Sequence, residues 1–275
     1  MVSRRTASGF HPKKSLGQHF LSDPGIVSQI IRKARFGRGD PVLEIGPGQG
    51  ALTLSLARGL DRLIAVEKDT RLTAYLAEKL SNAGLPHVLL INQDILTWDF
   101  HEASIPPGAK LQVIGNLPYN ISSPLLEKLI RNRAHLGRAV LMLQKEVAER
   151  ITASPGTKAY GALSVWIRYH ACPARLIRVP RQAFYPRPQV GSTVLELDFE
   201  KPYPRRAPHA QHFKDVVKWA FSHRRKTLLN SLDGSPAPWS RGQILSALNQ
   251  TRIDPTRRAE TLDMEAYLDL AEALS

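Results

Sequence analysis

The sequence predicts an α/β fold, a mostly parallel, doubly wound sheet of Rossmann-like type, followed by a small C-terminal all-helical domain. Three observations carry this prediction. Short, nearly continuous apolar runs recur between residues 41 and 144, as in strands buried on both faces. Stretches with helical spacing separate most of them, which implies parallel strands joined by right-handed crossovers. After residue 210 only helical patterns remain.

Residues 1–40 read as a basic extension and a first helix. Strands are expected at Val42–Ile45, Leu63–Val66, Val88–Ile91, Leu111–Ile114 and Ala139–Leu143. Helices between them are marked by Leu52, Leu54, Leu56 and Ala57, by Leu72, Tyr75, Leu76 and Leu80, and by Leu125, Leu126, Leu129 and Ile130. The rhythm then changes. Lys145–Ala153 reads as a helix stopped by Ser154-Pro155-Gly156. Ala162–His170 reads as helical or mixed. Leu176–Val179 and Thr193–Phe199 read as two more strands, joined by a Pro-rich loop through Phe184–Pro188. Pro202–Pro208 has the composition of a linker. Helical patterns follow at His212–Leu232, Arg241–Asn249 and Met264–Leu274. The expected domains are thus 41–201 and 210–275, with 202–209 between them.

Composition narrows the function. The chain has 275 residues, of which 43% are hydrophobic, too apolar for intrinsic disorder. It has no apolar run of about 18 residues, so no transmembrane helix is expected. No apolar segment follows the first arginines, so no secretory signal is read. The single cysteine, Cys172, excludes an intramolecular disulfide and a Cys-based zinc cluster, and fits a reducing cytosol. No metal site is read. Against 24 acidic residues stand 38 Lys+Arg, a net charge of +14. Residues 1–40 carry +6 and residues 201–230 carry +7, whereas 41–100 carry −2. Two separated basic blocks point to a polyanionic partner.

The first strand ends in Glu44-Ile45-Gly46-Pro47-Gly48-Gln49-Gly50. Glycines there let a ligand approach the backbone at the start of a helix, and Gly46 and Gly48 are candidate ligand contacts. Glu67 closes the second strand and Asp94 follows the third. Carboxylates at adjacent strand ends face the ligand crevice. Glu67 can accept both hydroxyls of a ribose and Asp94 the amino group of an adenine. A nicotinamide dinucleotide fits this much as well as S-adenosylmethionine does.

The fourth strand ends in Gly115-Asn116-Leu117-Pro118-Tyr119-Asn120. An adenine amine is a poor nucleophile because its lone pair is delocalised into the ring. Acceptors at its N–H groups draw the nitrogen toward tetrahedral geometry and stabilise the developing charge. Asn116 offers a side-chain carbonyl, Leu117 a backbone carbonyl, and Tyr119 a face for stacking.

These motifs resemble those of the rRNA adenine dimethylase family, and in particular its bacterial small-subunit (16S) branch. The resemblance runs through KSLGQHFL (14–21), EIGPGQG (44–50), GNLPYNISSPLL (115–126), LQKEVAERI (143–151), KAYGALSV (158–165), AFYPRPQVGS (183–192), FSHRRKTLLNSL (221–232) and IDPTRRAETL (253–262). It implies a class I S-adenosylmethionine-dependent methyltransferase fold. It also implies dimethylation of the N6 amines of two adjacent adenosines in the 3′-terminal hairpin loop of 16S rRNA, on a 30S subunit precursor, by a cytoplasmic monomer. Implied cofactor contacts are His19, Leu21, Gly46, Glu67, Asp94 and Asn116. Members often have Asn where this chain has His19, so its backbone is the expected contact. Asn116, Leu117 and Tyr119 match the target-amine and base-stacking positions. Phe184 matches an aromatic across the flipped base. Arg224, Arg225 and Lys226, read as the basic face of a helix, and Lys13 and Lys14 are the expected RNA contacts. A large-subunit rRNA methylase and a non-enzymatic ribosome-assembly factor on the same scaffold remain alternatives. A nicotinamide dehydrogenase explains neither NLPY nor the charge. A DNA adenine methylase lacks a separate DNA-reading motif here.

Overall fold

The computed structural model describes residues 17–275. Its elements in chain order are β1 (Phe20–Leu21), α1 (Pro24–Ala34), β2 (Val42–Ile45), α2 (Thr53–Ala57), β3 (Leu63–Glu67), α3 (Thr70–Asn82), β4 (Val88–Asn92), β5 (Leu111–Asn116), α4 (Ser122–Arg131), β6 (Leu136–Gln144), α5 (Lys145–Thr152), α6 (Ala162–His170), β7 (Cys172–Val179), β8 (Phe184–Tyr185), β9 (Ser192–Asp198), α7 (Ala210–Ala220), α8 (Leu228–Asp233), α9 (Arg241–Gln250) and α10 (Met264–Ala273). Each strand expected between 41 and 144 is present, and most run on past their apolar core.

The chain forms two compact units. The first holds the described residues up to Ala148 together with Ala174–Glu200, and the second holds Glu149–Pro173 with Lys201–Ser275. The first unit contains a seven-stranded sheet of order β4-β3-β2-β5-β6-β9-β7. Strands β2 to β6 pair in parallel, and β9 runs antiparallel to β6. All residues of β2 and β3 are buried, which explains their nearly continuous apolar runs. The chain moves outward from β2 through β3 to β4, then returns to start again at β5. The crevice of a doubly wound sheet lies at this reversal, beyond the carboxyl ends of β2 and β5. Gly115 makes the junction possible: a Cβ there would lie 2.7 Å from the Ile45 carbonyl oxygen.

The second unit is helical and has its own apolar core. Val165 and Tyr169 of α6 join Phe213, Val216, Leu228, Leu248, Tyr267 and Leu268 in it, and the Tyr169 and Phe213 rings lie 4.6 Å apart. The boundary expected at 202–209 is therefore only one of the crossings. Residues 149–173, read as part of the sheet domain, pack with the helical unit, because the apolar side of α6 finds its partners there.

Two expected elements differ. The Pro-rich loop contains β8, which pairs antiparallel with β1: Phe20 faces Tyr185 and Leu21 faces Phe184. The helix expected over His212–Leu232 is two helices, with a turn at 221–227. Ser231 Oγ donates to the Ala220 carbonyl at 2.8 Å and accepts the His223 N–H at 3.1 Å. Thr227 caps α8 through the Asn230 N–H, ending one helix and starting the next. The basic residues 224–226 therefore lie on a turn, not on a helix face.

Candidate active site at the sheet reversal

A cavity lies at the reversal point. Its walls include Gln18, His19 and Phe20, Gly46 and Gly48, Glu67 and Lys68, Asp94, and Asn116 to Pro118. Four turns after parallel strands and the residues around β1 thus converge on one space.

The glycine turn is shaped by positive φ, +65° at Gly46 and +57° at Gly48, which L side chains adopt at a cost. At Gly48 space is also short: a Cβ would lie 3.2 Å from the Phe20 ring. The Gly48 N–H donates to Glu67 Oε2 at 3.1 Å, and the Asp69 N–H donates to Glu67 Oε1 at 2.8 Å. Glu67 is only 7% exposed. Burial pushes its pKa up, while the Asp69 and Gly48 N–H groups pull it down. Each carboxylate oxygen keeps a further lone pair for a ligand hydroxyl. Such a carboxylate, beside an open glycine backbone, fits the ribose of an adenosyl cofactor.

Glu44 lies one strand away and is buried, with its Oε2 unpartnered among the described residues. Burial pushes its pKa up to about 8, against hydrogen bonding from Thr53 and with added repulsion from Glu67. Burial thus favours the protonated form of Glu44 at pH 7.

Asp94 Oδ2 accepts from Lys68 Nζ at 2.7 Å and Oδ1 from the Leu96 N–H at 2.9 Å. Partial burial works to raise its pKa, but Lys68, the Leu96 N–H and the charge of Lys128 hold it below the usual carboxylate range. Asp94 is thus an ionised acceptor on the cavity wall. Lys128, from α4, donates to the carbonyls of Leu96 and Trp98 at 2.9 and 2.5 Å and fixes the turn that carries it.

Asn116 Nδ2 donates to the His19 carbonyl at 2.9 Å. That bond fixes the amide, so its Oδ1 is the group left to accept. The Leu117 N–H is taken by the Met142 carbonyl at 3.2 Å, which anchors the segment before Pro118. His19 lines the cavity, but its Nδ1 pairs with the Pro186 carbonyl at 2.8 Å. Its backbone orients Asn116 while its ring ties the β1 segment to the loop after β8.

Two expected site residues are not brought to the wall. Leu21 and Phe184, opposite each other in the ribbon, are 7% and 4% exposed and belong to the apolar core of the first unit. Strand alternation puts both on the side away from Phe20. Lys13 and Lys14 lie outside the described residues, as does the ring of Tyr119. Three wall or support residues escaped the motif reading. Phe20 was readable only as part of KSLGQHFL, Lys68 only as the neighbour of Glu67, and Lys128 only as one cation in an amphipathic helix.

Within the helical unit, Arg224 is paired with Glu260 at 3.1 Å and also donates to the Lys158 carbonyl. Arg225 and Lys226 are exposed beside it.

A family model described as ribosomal RNA adenine dimethylase matches residues 9–275. A protein of Desulforapulum autotrophicum named ribosomal RNA small subunit methyltransferase A is 47% identical over 262 residues, covering 95% of this chain and 92% of that protein. One of the same name from Moorella thermoacetica is 43% identical over 276 residues, covering 97% and 93%. Among solved structures, a dimethyladenosine transferase from Plasmodium falciparum matches with a TM-score of 0.74 at 27% identity, covering 91% of this chain and 95% of that one. The 23S rRNA methyltransferase ErmE matches with a TM-score of 0.71 at 26% identity, covering 93% and 99%. The chain belongs to the ribosomal RNA adenine dimethylase family, whose members are S-adenosylmethionine-dependent methyltransferases.

Proposed function

We propose that this chain dimethylates the N6 amines of two adjacent adenosines in the 3′-terminal hairpin loop of 16S rRNA, on a precursor of the 30S subunit in the cytoplasm, acting as a monomer. The observation that carries the reading is the fixed Asn116 amide. With Nδ2 held by the His19 carbonyl, Oδ1 is left to accept among the described residues, on the cavity wall that Glu67 and Asp94 also line. The small-subunit substrate is favoured over the large-subunit one because the relatives at 47% and 43% identity carry the small-subunit name, whereas the 23S enzyme is 26% identical.

When bound, S-adenosylmethionine supplies an electrophilic methyl group on a sulfonium. Glu67 accepts the ribose hydroxyls and Asp94 the adenine amine of that cofactor, while Gly46 and Gly48 keep side chains out of its way. A base in a loop is cheap to unstack. Asn116 Oδ1 and the Leu117 carbonyl accept the two N–H bonds of the target amine. They orient its lone pair and stabilise the positive charge that grows on nitrogen. The alkylated amine is acidic enough to release its proton to water. After one transfer the remaining N–H still has an acceptor, so the same geometry serves the second.

The test is methyl transfer from tritium-labelled cofactor to 16S and 23S rRNA fragments, with the modified bases located by mass spectrometry. Wild-type protein is expected to label two adjacent adenosines of the 16S fragment. Asn116→Ala is expected to lower kcat by about 100-fold or more, as for loss of one preorganised transition-state partner, with cofactor Kd changed far less. Labelling of the 23S fragment instead, or an Asn116→Ala variant with full turnover, removes the assignment.

A further inference from the structure

The ribbon of β1 and β8 sorts its four side chains onto two faces. Residues directly opposite in an antiparallel pair share a face, and successive residues alternate. Leu21 and Phe184 face each other and are buried in the core. Phe20 and Tyr185 face each other on the opposite side. Phe20 lines the cavity with its ring against Gly48. Tyr185 stands on that same side, beyond the wall, and is 44% exposed. Its segment also carries exposed Arg187 and Val190.

The backbone that presents Tyr185 is held firmly. The Ser22 N–H donates to the Ala183 carbonyl at 2.8 Å and the Ser22 hydroxyl to the same oxygen at 3.2 Å. His19 Nδ1 pairs with the Pro186 carbonyl at 2.8 Å, and Arg181 reaches the Gln189 carbonyl at 3.1 Å. An aromatic ring is thereby kept in water on a fixed support, with a cation two residues along the chain. Aromatic faces interleaved with cations are how single-stranded nucleic acid is held without reading its sequence.

We propose that Tyr185 is a stacking platform for the unpaired RNA base that flanks the target adenine, with Arg187 meeting the phosphate between them. The inference rests on the rRNA dimethylase reading above and adds a subsite to it. An RNA loop delivers more than one unpaired base, and only one of them reaches Asn116 and Leu117. A neighbour left in water at the rim lies on the side of the ribbon where Tyr185 stands. Stacking there contributes affinity and registers the strand, so that consecutive bases enter in turn.

The experiment uses the full chain as wild type, Tyr185→Ala, Tyr185→Leu and Tyr185→Phe. Each is assayed for RNA KM on a 16S hairpin fragment and for cofactor Kd by calorimetry. A second fragment carries 2-aminopurine beside the target, whose fluorescence falls on stacking. Loss of one base–aromatic stack corresponds to a rise in RNA KM of about 5- to 150-fold. That rise is expected for Ala and Leu, together with loss of the 2-aminopurine quench and an unchanged cofactor Kd, while Phe restores the wild-type values. An unchanged RNA KM in Tyr185→Ala overturns the inference. So does Leu performing as well as Phe, or a parallel rise in cofactor Kd, which signals a loop that has shifted. A wild-type protein inactive on RNA removes the functional reading and this inference together; an active wild type with an indifferent Tyr185→Ala removes only the inference.

Discussion

Glu44 and Glu67 lie on adjacent strands, Glu44 opposite Ala65 and Glu67 two residues further on, yet their carboxyls are held differently. Glu67 keeps backbone N–H partners on both oxygens, whereas Glu44 Oε2 has none among the described residues. Burial pushes the Glu44 pKa up to about 8, against an ordinary value of 4.5. The folded state binds this proton more tightly than the unfolded state does. The resulting stability is full below the unfolded pKa and is lost as pH rises through the folded one. Glu44 thus contributes a slope of about −1.4 kcal/mol per pH unit across that window. Replacing it with the neutral isostere removes the slope. Thermal unfolding from pH 5 to 8 is expected to show Glu44→Gln gaining on wild type steadily with pH; parallel curves would contradict a protonated Glu44. Both acids were visible in the sequence, at EIGPGQG and at the end of the next strand. How tightly each holds its proton was not, because that depends on burial and on which backbone N–H groups the turns aim at each carboxylate.

The parallel strands were legible because burial on both faces leaves an apolar run that no other element of that length needs. Two-residue strands leave no such trace. β8 lies inside a Pro-rich stretch and pairs across more than 160 residues of chain with β1, so the sequence read as loop and Phe184 as a pocket wall. The break between α7 and α8 did leave a signal. The apolar stripe Phe213, Val216, Val217 and Ala220 calls for apolar residues at 224 and 227, and the chain has Arg224 and Thr227 instead. Lys128 shows what spacing alone does not carry. On the helix it is one of two cations, but in the fold it joins α4, which follows the NLPY segment, to the turn that holds Asp94. Burial lowers its pKa against the pull of Asp99 and Asp94, and its ammonium satisfies two carbonyls. A charged hydrogen bond of this kind contributes about 1.5–3 kcal/mol. Lys128→Met is expected to weaken cofactor binding about tenfold in calorimetry, the loss of about 1.4 kcal/mol of it at the adenine end, with RNA Kd within about twofold of wild type. Equal losses for both ligands would mean that the helix itself had been disturbed.

Across the whole molecule, the charge of +14 separates from the chemistry. The segment 41–100, which supplies Gly46, Gly48, Glu67 and Asp94, carries −2, and the segment 201–230 carries +7. Part of that +7 is neutralised within the helical unit itself: Arg205 bridges Glu265, Asp269 and Glu272, and Arg224 bridges Glu260. The sequence count treated these arginines as equal to their neighbours, because acids distant in sequence meet them only in the fold. Arg225 and Lys226 have no carboxylate partner among the described residues and are exposed on the turn between α7 and α8. They are the members of the 224–226 triplet able to release counterions from a phosphate backbone. Each phosphate contact adds about 0.7–0.9 to the slope of log K against log salt. Arg225→Ala with Lys226→Ala is therefore expected to flatten the slope for 16S rRNA binding by about 1.4–1.8, with cofactor affinity unchanged. Arg224→Ala is expected to alter that slope much less and to lower the melting temperature instead, since it leaves Glu260 unpaired. Binding titrations of the three proteins between 50 and 300 mM salt (roughly the range over which counterion release dominates) separate the two cases. A slope that falls for Arg224→Ala but not for the double variant would reverse the assignment and place the RNA contact on the paired arginine.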